Sequence, residues 1–123
     1  MIADELIQDG GTDTAPTPME ILIGTVGACI AVTTQAYAQR KGWPLERVSV
    51  ELEMERIRRE DYPAYTGEAA FVHEIREVVQ FEGPLTDEQK ARLLTVAGKC
   101  PVHLTLENPV FFNQQLINTA VPE

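Results

Sequence analysis

Two cysteines, Cys29 and Cys100, carry most of the chemical potential of this chain of 123 residues. A thiolate can bind metal, form a disulfide or attack an electrophile. The two histidines, His73 and His103, do not complete a zinc spacing with two cysteines lying 71 positions apart. A structural disulfide is disfavoured in a reducing compartment. Two readings remain: buried thiols by chance, or a redox pair.

The local settings of the two thiols differ. Cys100 precedes Pro101, which suits the first turn of a short helix, so Cys100 reads as an N-cap facing unpaired N–H groups. Lys99 is adjacent, and both features favour thiolate; the plainer reading is a helix break that carries a cysteine. His103, one turn later, could tune Cys100 or be an ordinary exposed or core histidine. Cys29 lies in an apolar helical stretch, where burial raises a thiol pKa, and no cation lies within two turns. It reads as core packing unless a base or cation arrives from elsewhere in the fold or from a second chain. His73 reads as core packing on a strand, Glu51, Glu53 and Glu55 as a solvated strand face, and Asp87 and Glu88 as complements to a helix start. There is no phosphate loop and no Ser-His-Asp order.

The elements that must position these residues follow from caps and periodicity. Thr17, Pro18 and Glu20 form a capping box that opens a helix closing on Arg40, Lys41 and Gly42, with Pro44 beyond. No charge occurs from Ile21 to Gln39, so the helix, about 36 Å long, reads as buried on all sides. Gly24, Gly27, Ala28 and Ala31 make a smooth strip on which another backbone could pack closely. Val48, Val50, Leu52 and Met54 alternate with polar residues over Arg47–Ile57, a strand with one wet face. A second strand is expected from about Glu68 to Glu82, with Phe71, His73, Ile75, Val79 and Phe81 on one face and Glu77 interrupting it. Thr86 and Gln89 cap a helix over Asp87–Lys99 with Leu93, Leu94, Val96 and Ala97 inward. A short helix over Pro101–Leu106 and a final strand over Val110–Ile117 complete an α+β domain preceded by an arm, residues 1–15.

Composition narrows the function. One domain is expected, spanning residues 1–123, with 44% hydrophobic residues for its core. So short a chain cannot cover an all-apolar helix by itself, and a partner subunit is expected to supply the rest. A formal charge of −9 argues against nucleic acid as a partner. The first residues lack the basic region of a signal peptide, and the apolar run Ile21–Val32 is too short to span a bilayer. A cytoplasmic location without membrane association is the expectation.

The stretches DGGTDTAPTPMEILIGTVGAC, YAQRKGWPLERV and LTDEQKARLLTVAGKCPVHLTLENPV resemble the OsmC/Ohr family of thiol-dependent hydroperoxide reductases. The Cys-Pro-Val-His motif is closest to its short-chain OsmC-like branch. The resemblance implies an intertwined homodimer with central helices packed between two sheets. It maps the peroxidatic cysteine to Cys29 and the resolving cysteine to Cys100, near each other in space. It also implies attack of Cys29 on an organic hydroperoxide, a sulfenic acid, a Cys29–Cys100 disulfide and reduction by an external dithiol of lipoyl type, with no metal or bound cofactor.

Two features depart from the family pattern. The family's thiolate-holding arginine, on an N-terminal strand, has no counterpart, because the first arginine is Arg40. Its supporting glutamate position is occupied by Met19; Glu20, next to it, points about 100° away around the helix. Glu20 and His103 are candidate supporting residues, and Arg56 or Arg58 of a second chain candidate substitutes for the arginine. The alternative to a peroxidase is a non-enzymatic dimer that binds a small hydrophobic ligand at its interface, and a third reading is a protein-interaction scaffold.

Overall fold

In the computed structural model, which describes residues 1–118, three α-helices pack on one face of a two-stranded antiparallel sheet. Helix α1 spans Pro18–Lys41. The Thr17 hydroxyl accepts the Glu20 N–H and the Glu20 carboxylate accepts the Thr17 N–H, so the capping box is closed on both sides. At the other end Gly42, with φ 70°, takes the left-handed conformation that ends the helix.

Strands β1, Arg47–Arg58, and β2, Phe71–Glu82, pair in the register Val50↔Val79, Leu52↔Glu77 and Met54↔Ile75. Directly opposed residues share a face, so Val48, Val50, Leu52 and Met54 meet Phe81, Val79, Glu77 and Ile75 beneath the helices. On the outer face Arg76 reaches Glu53, Glu55 and Glu74, which confirms the glutamate run as a solvated surface. The chain leaves β2 through Gly83, with φ 136°, where a Cβ would collide with the Pro44 carbonyl. The second strand starts at Phe71, three residues later than its pattern suggests, because Glu68–Ala70 belong to a loop held by Arg59 and Tyr65.

Helix α2, Asp87–Ala97, starts on the Thr86–Gln89 capping box, and α3 runs over Pro101–Glu107 with Cys100 as its N-cap. Val26, Ile30, Ala97 and Cys100 form one core cluster; Ala38, Phe81 and Leu93 form the other. Burying Ile30 or Leu93 completely stabilises the fold by about 1.5–3 kcal/mol each. Arg92 Nε donates to the Tyr37 hydroxyl at 3.0 Å, tying α2 to the end of α1.

Several expectations are corrected. Helix α1 is not buried all round: Val26, Ile30, Thr34 and Ala38 form one buried stripe, while Leu22 and Val32 are exposed. One chain has enough sheet and helix to cover only one flank. Gly27 of the smooth strip faces Leu52 and Val50 of β1, whereas Gly24 faces open space. By length and composition α1 is long and apolar enough to cross a membrane, with a mean hydropathy of 1.5 over its best window. The shorter run Ile21–Val32 understated this. Leu94 is exposed, on the side of α2 turned from α1, and His73 is exposed on the wall of an open cleft that it shares with α3. Val110–Ile117 forms no strand. Neither edge of the sheet takes it up, and Phe111 and Phe112 remain about nine-tenths exposed. The arm is organised by Asp4, whose carboxylate accepts the N–H groups of Glu5, Thr12 and Thr14 and the hydroxyls of Thr12 and Thr14.

Candidate functional site

Cys29 and Cys100 come together where α1 meets the start of α3. Cys100 is completely buried in the cluster with Val26, Ile30 and Ala97, and Cys29 packs against that cluster while keeping some exposure. The chain reaches this arrangement through the break after α2. Lys99 N–H and Cys100 N–H turn back onto Val96 and Ala97, and Pro101 starts α3 in a new direction. The His103 N–H donates to Cys100 Sγ at 3.4 Å, which is the N-cap role expected of a side chain at this position.

The electrostatics of the two sulfurs reverse the local sequence reading. For Cys29, burial raises the pKa. The Val102 N–H, the Cys100 thiol and the Thr33 hydroxyl, which lies 3.9 Å away, outweigh it, and the net shift is downward. For Cys100, burial also raises the pKa, and the Cys29 sulfur and the Glu77 carboxylate push it higher; the His103 N–H offsets only part. Lys99 is exposed and takes no part in the shift of either thiol. Two of the groups that favour a Cys29 thiolate, Val102 and Cys100, come from the start of α3, more than 70 residues along the chain; the third, Thr33, is on α1, and none is a cation.

The supporting candidates separate. His103 lies at the site, with close imidazole–carboxylate contacts of Nε2 to Glu77 Oε1 at 3.0 Å and of Nδ1 to Glu107 Oε1 at 3.0 Å. Glu20 is occupied with its capping box, about 13 Å along the helix axis from Cys29. Arg56 stacks on the Phe71 ring of its own chain at 4.2 Å. Beside His103 opens a cleft of about 350 Å³ whose walls include Val26, Tyr62, Glu74, Glu77 and Glu107. Among the described residues no three His, Cys, Asp or Glu side chains are grouped to hold a metal ion.

Glu77 is the site residue that motif reasoning missed. Its signal was present in the pattern: a carboxylate interrupts the apolar face of β2 opposite Leu52. Such an interruption in the middle of a core face marks either an error of register or a buried polar partner. The partner is His103.

The comparisons with known proteins bear on the family and the fold. A family model described as OsmC-like protein matches residues 11–114. No curated protein matches the chain. Among solved structures, an organic hydroperoxide resistance protein OsmC from Legionella pneumophila is similar with a TM-score of 0.62 at 20% identity, covering 84% of this chain and 70% of that one. An OsmC-like hydroperoxide resistance protein from Jannaschia sp. CCS1 gives a TM-score of 0.62 at 17% identity, covering 87% and 70%. An OsmC-like protein from Mycoplasma pneumoniae gives 0.58 at 20% identity, covering 76% and 64%. At these identities the likeness establishes the fold.

Proposed function

The chain belongs to the family of OsmC-like proteins, and on that premise we propose that it reduces organic hydroperoxides with Cys29 and Cys100. The observation that carries this reading is that Cys29 packs against the core cluster containing Cys100, with Cys29 biased toward thiolate and Cys100 toward thiol. The Cys29 thiolate attacks the terminal oxygen of the hydroperoxide, an S–O bond forms, the O–O bond breaks, and the alkoxide leaves as an alcohol after taking a proton. Cys29 is then a sulfenic acid. The Cys100 sulfur attacks it, an S–S bond forms, and the hydroxyl leaves as water. An external dithiol restores both thiols by exchange and is itself oxidised to a disulfide. The burial that raises Cys100 keeps it protonated, and so unreactive toward peroxide, until the sulfenic acid is beside it.

We also propose that the working form is a cytoplasmic homodimer. Leu22 and Val32 on the open flank of α1, with Phe111, Phe112, Leu116 and Ile117 of the tail, are apolar surfaces that one chain leaves in water. Binding of a small hydrophobic ligand without chemistry is less well supported, because the cleft at His103 is walled by three carboxylates and two imidazoles.

Mixing the reduced chain with a small excess of cumene hydroperoxide and counting free thiols tests the reading. Loss of both thiols with formation of an intrachain disulfide is expected. Retention of both would overturn it.

A further inference from the structure

Glu77 stands where the strand pattern calls for an apolar residue. It is on the core face of β2, between Ile75 and Val79 and opposite Leu52, and its side chain is only 19% exposed. A carboxylate is costly to bury unless it is paired. The pairing is with His103, whose Nε2 lies 3.0 Å away. The backbone N–H of that same histidine reaches Cys100 Sγ at 3.4 Å, and the preceding N–H, of Val102, faces Cys29. Helix α3 has seven residues, none of them buried, so packing alone holds it weakly. Val102 packs against the core cluster, and the His103 ring ties the same first turn to β2. Glu107, on the far side of the ring, belongs to α3 itself and cannot supply that anchor. Of the other titratable groups around the cleft, Glu74 is engaged by Arg76 and hydrogen-bonded by Tyr62, and His73 is exposed.

We propose that Glu77 and His103 are positioning residues of the thiol site: the Glu77 carboxylate, fixed on β2, holds the His103 ring, and so keeps the first-turn amides of α3 aimed at both sulfurs. The pair does for this chain, through backbone amides, what a cation would do by charge. Neither side chain touches peroxide. The purpose of the pair rests on the hydroperoxide reading, but its geometry does not.

Charge alone and positioning predict opposite signs. Deleting a carboxylate that acts only by its charge would favour both thiolates, whereas deleting an anchor would cost Cys29 its amide donor. The test uses Glu77→Leu and His103→Leu. Leucine at 77 completes the apolar face beside Leu52, so thermal stability is expected to hold or rise. Alkylation of Cys29 by iodoacetamide is followed from pH 5 to 9 by peptide mass spectrometry, without peroxide. Both variants are expected to slow Cys29 alkylation at pH 6 by about tenfold, the equivalent of about one pH unit in its titration. Unchanged or faster alkylation in Glu77→Leu would overturn the proposal, as would slowing in that variant that His103→Leu does not share. Should His103→Leu fail to fold, His103→Gln takes its place with the same expected direction. Because alkylation needs no turnover, a wild-type chain inert to cumene hydroperoxide would end the peroxidase reading and leave this result interpretable.

Discussion

Cys100 has no exposed surface, and Cys29 packs against the cluster that encloses it, nearer the solvent and with the downward pKa shift. In the proposed two-thiol cycle that relationship assigns the order of events: the accessible, acidic sulfur would meet the oxidant first, and the enclosed one would answer it.

Replacing each cysteine should therefore have different consequences. Cys29→Ser should abolish peroxide consumption, a loss of at least about 10³-fold if thiolate attack is the chemical step. Cys100→Ser should consume one equivalent and stop at a sulfenic acid on Cys29, detectable as a dimedone adduct by mass spectrometry. Equal loss of the first turnover in both variants would contradict the assigned order.

The pH dependence of alkylation should separate the thiols. Cys29, depressed below the ordinary thiol range near about 8.5, should react first on raising the pH, and Cys100, raised above it, last. The same shifts link to stability with opposite signs. The Cys29 contribution is present above the unfolded thiol pKa and lost as pH falls through its folded pKa. The Cys100 contribution is present below the unfolded value and lost as pH rises through its folded one. Site-resolved alkylation rates between pH 5 and 10 check the order.

The arm offers an independent acid test. Donors from Thr12 side chain first, then Thr14, Glu5 and Thr12 main chain, hold the Asp4 carboxyl well below the usual carboxylate range. A depressed carboxylate keeps its contribution above the unfolded pKa, near about 3.9, and loses it as pH falls toward the folded value. Asp4→Asn should thus loosen the arm at neutral pH. Limited proteolysis should cut the variant before Pro16 at rates the wild-type arm reaches only in acid.

Core and surface substitutions on α1 and α2 should part cleanly. Leu93→Ala removes a fully buried side chain and should cost about 2–5 kcal/mol of stability. Val32→Glu lies on the open flank of α1 and should leave the protomer folded while shifting sedimentation from dimer to monomer. Sedimentation unchanged by Val32→Glu would place the subunit contact elsewhere.

Local signals were legible in the sequence. Both capping boxes, the β1 alternation and the Cys100–Pro101 break read directly, because each is decided by neighbours within four residues. The relative acidity of the thiols was not. Cys29 draws its donors from Val102 and Cys100, and Cys100 its opposing charge from Glu77, so the balance exists only once α1, β2 and α3 are assembled. The missing strand at Val110–Ile117 failed for a related reason: a segment's composition shows that it could pair, not that a partner edge is there to receive it. Glu77 was visible as a break in a pattern, and only its contact with His103 gives the break a meaning.

The most direct measurement is the mass of the chain after brief exposure to one equivalent of cumene hydroperoxide, read without reductant and mapped by peptide digestion. The account predicts a loss of two hydrogen masses and a single linked peptide pair joining Cys29 to Cys100. A chain that keeps both free thiols, or gains oxygen at Cys29 without ever linking to Cys100, would contradict it.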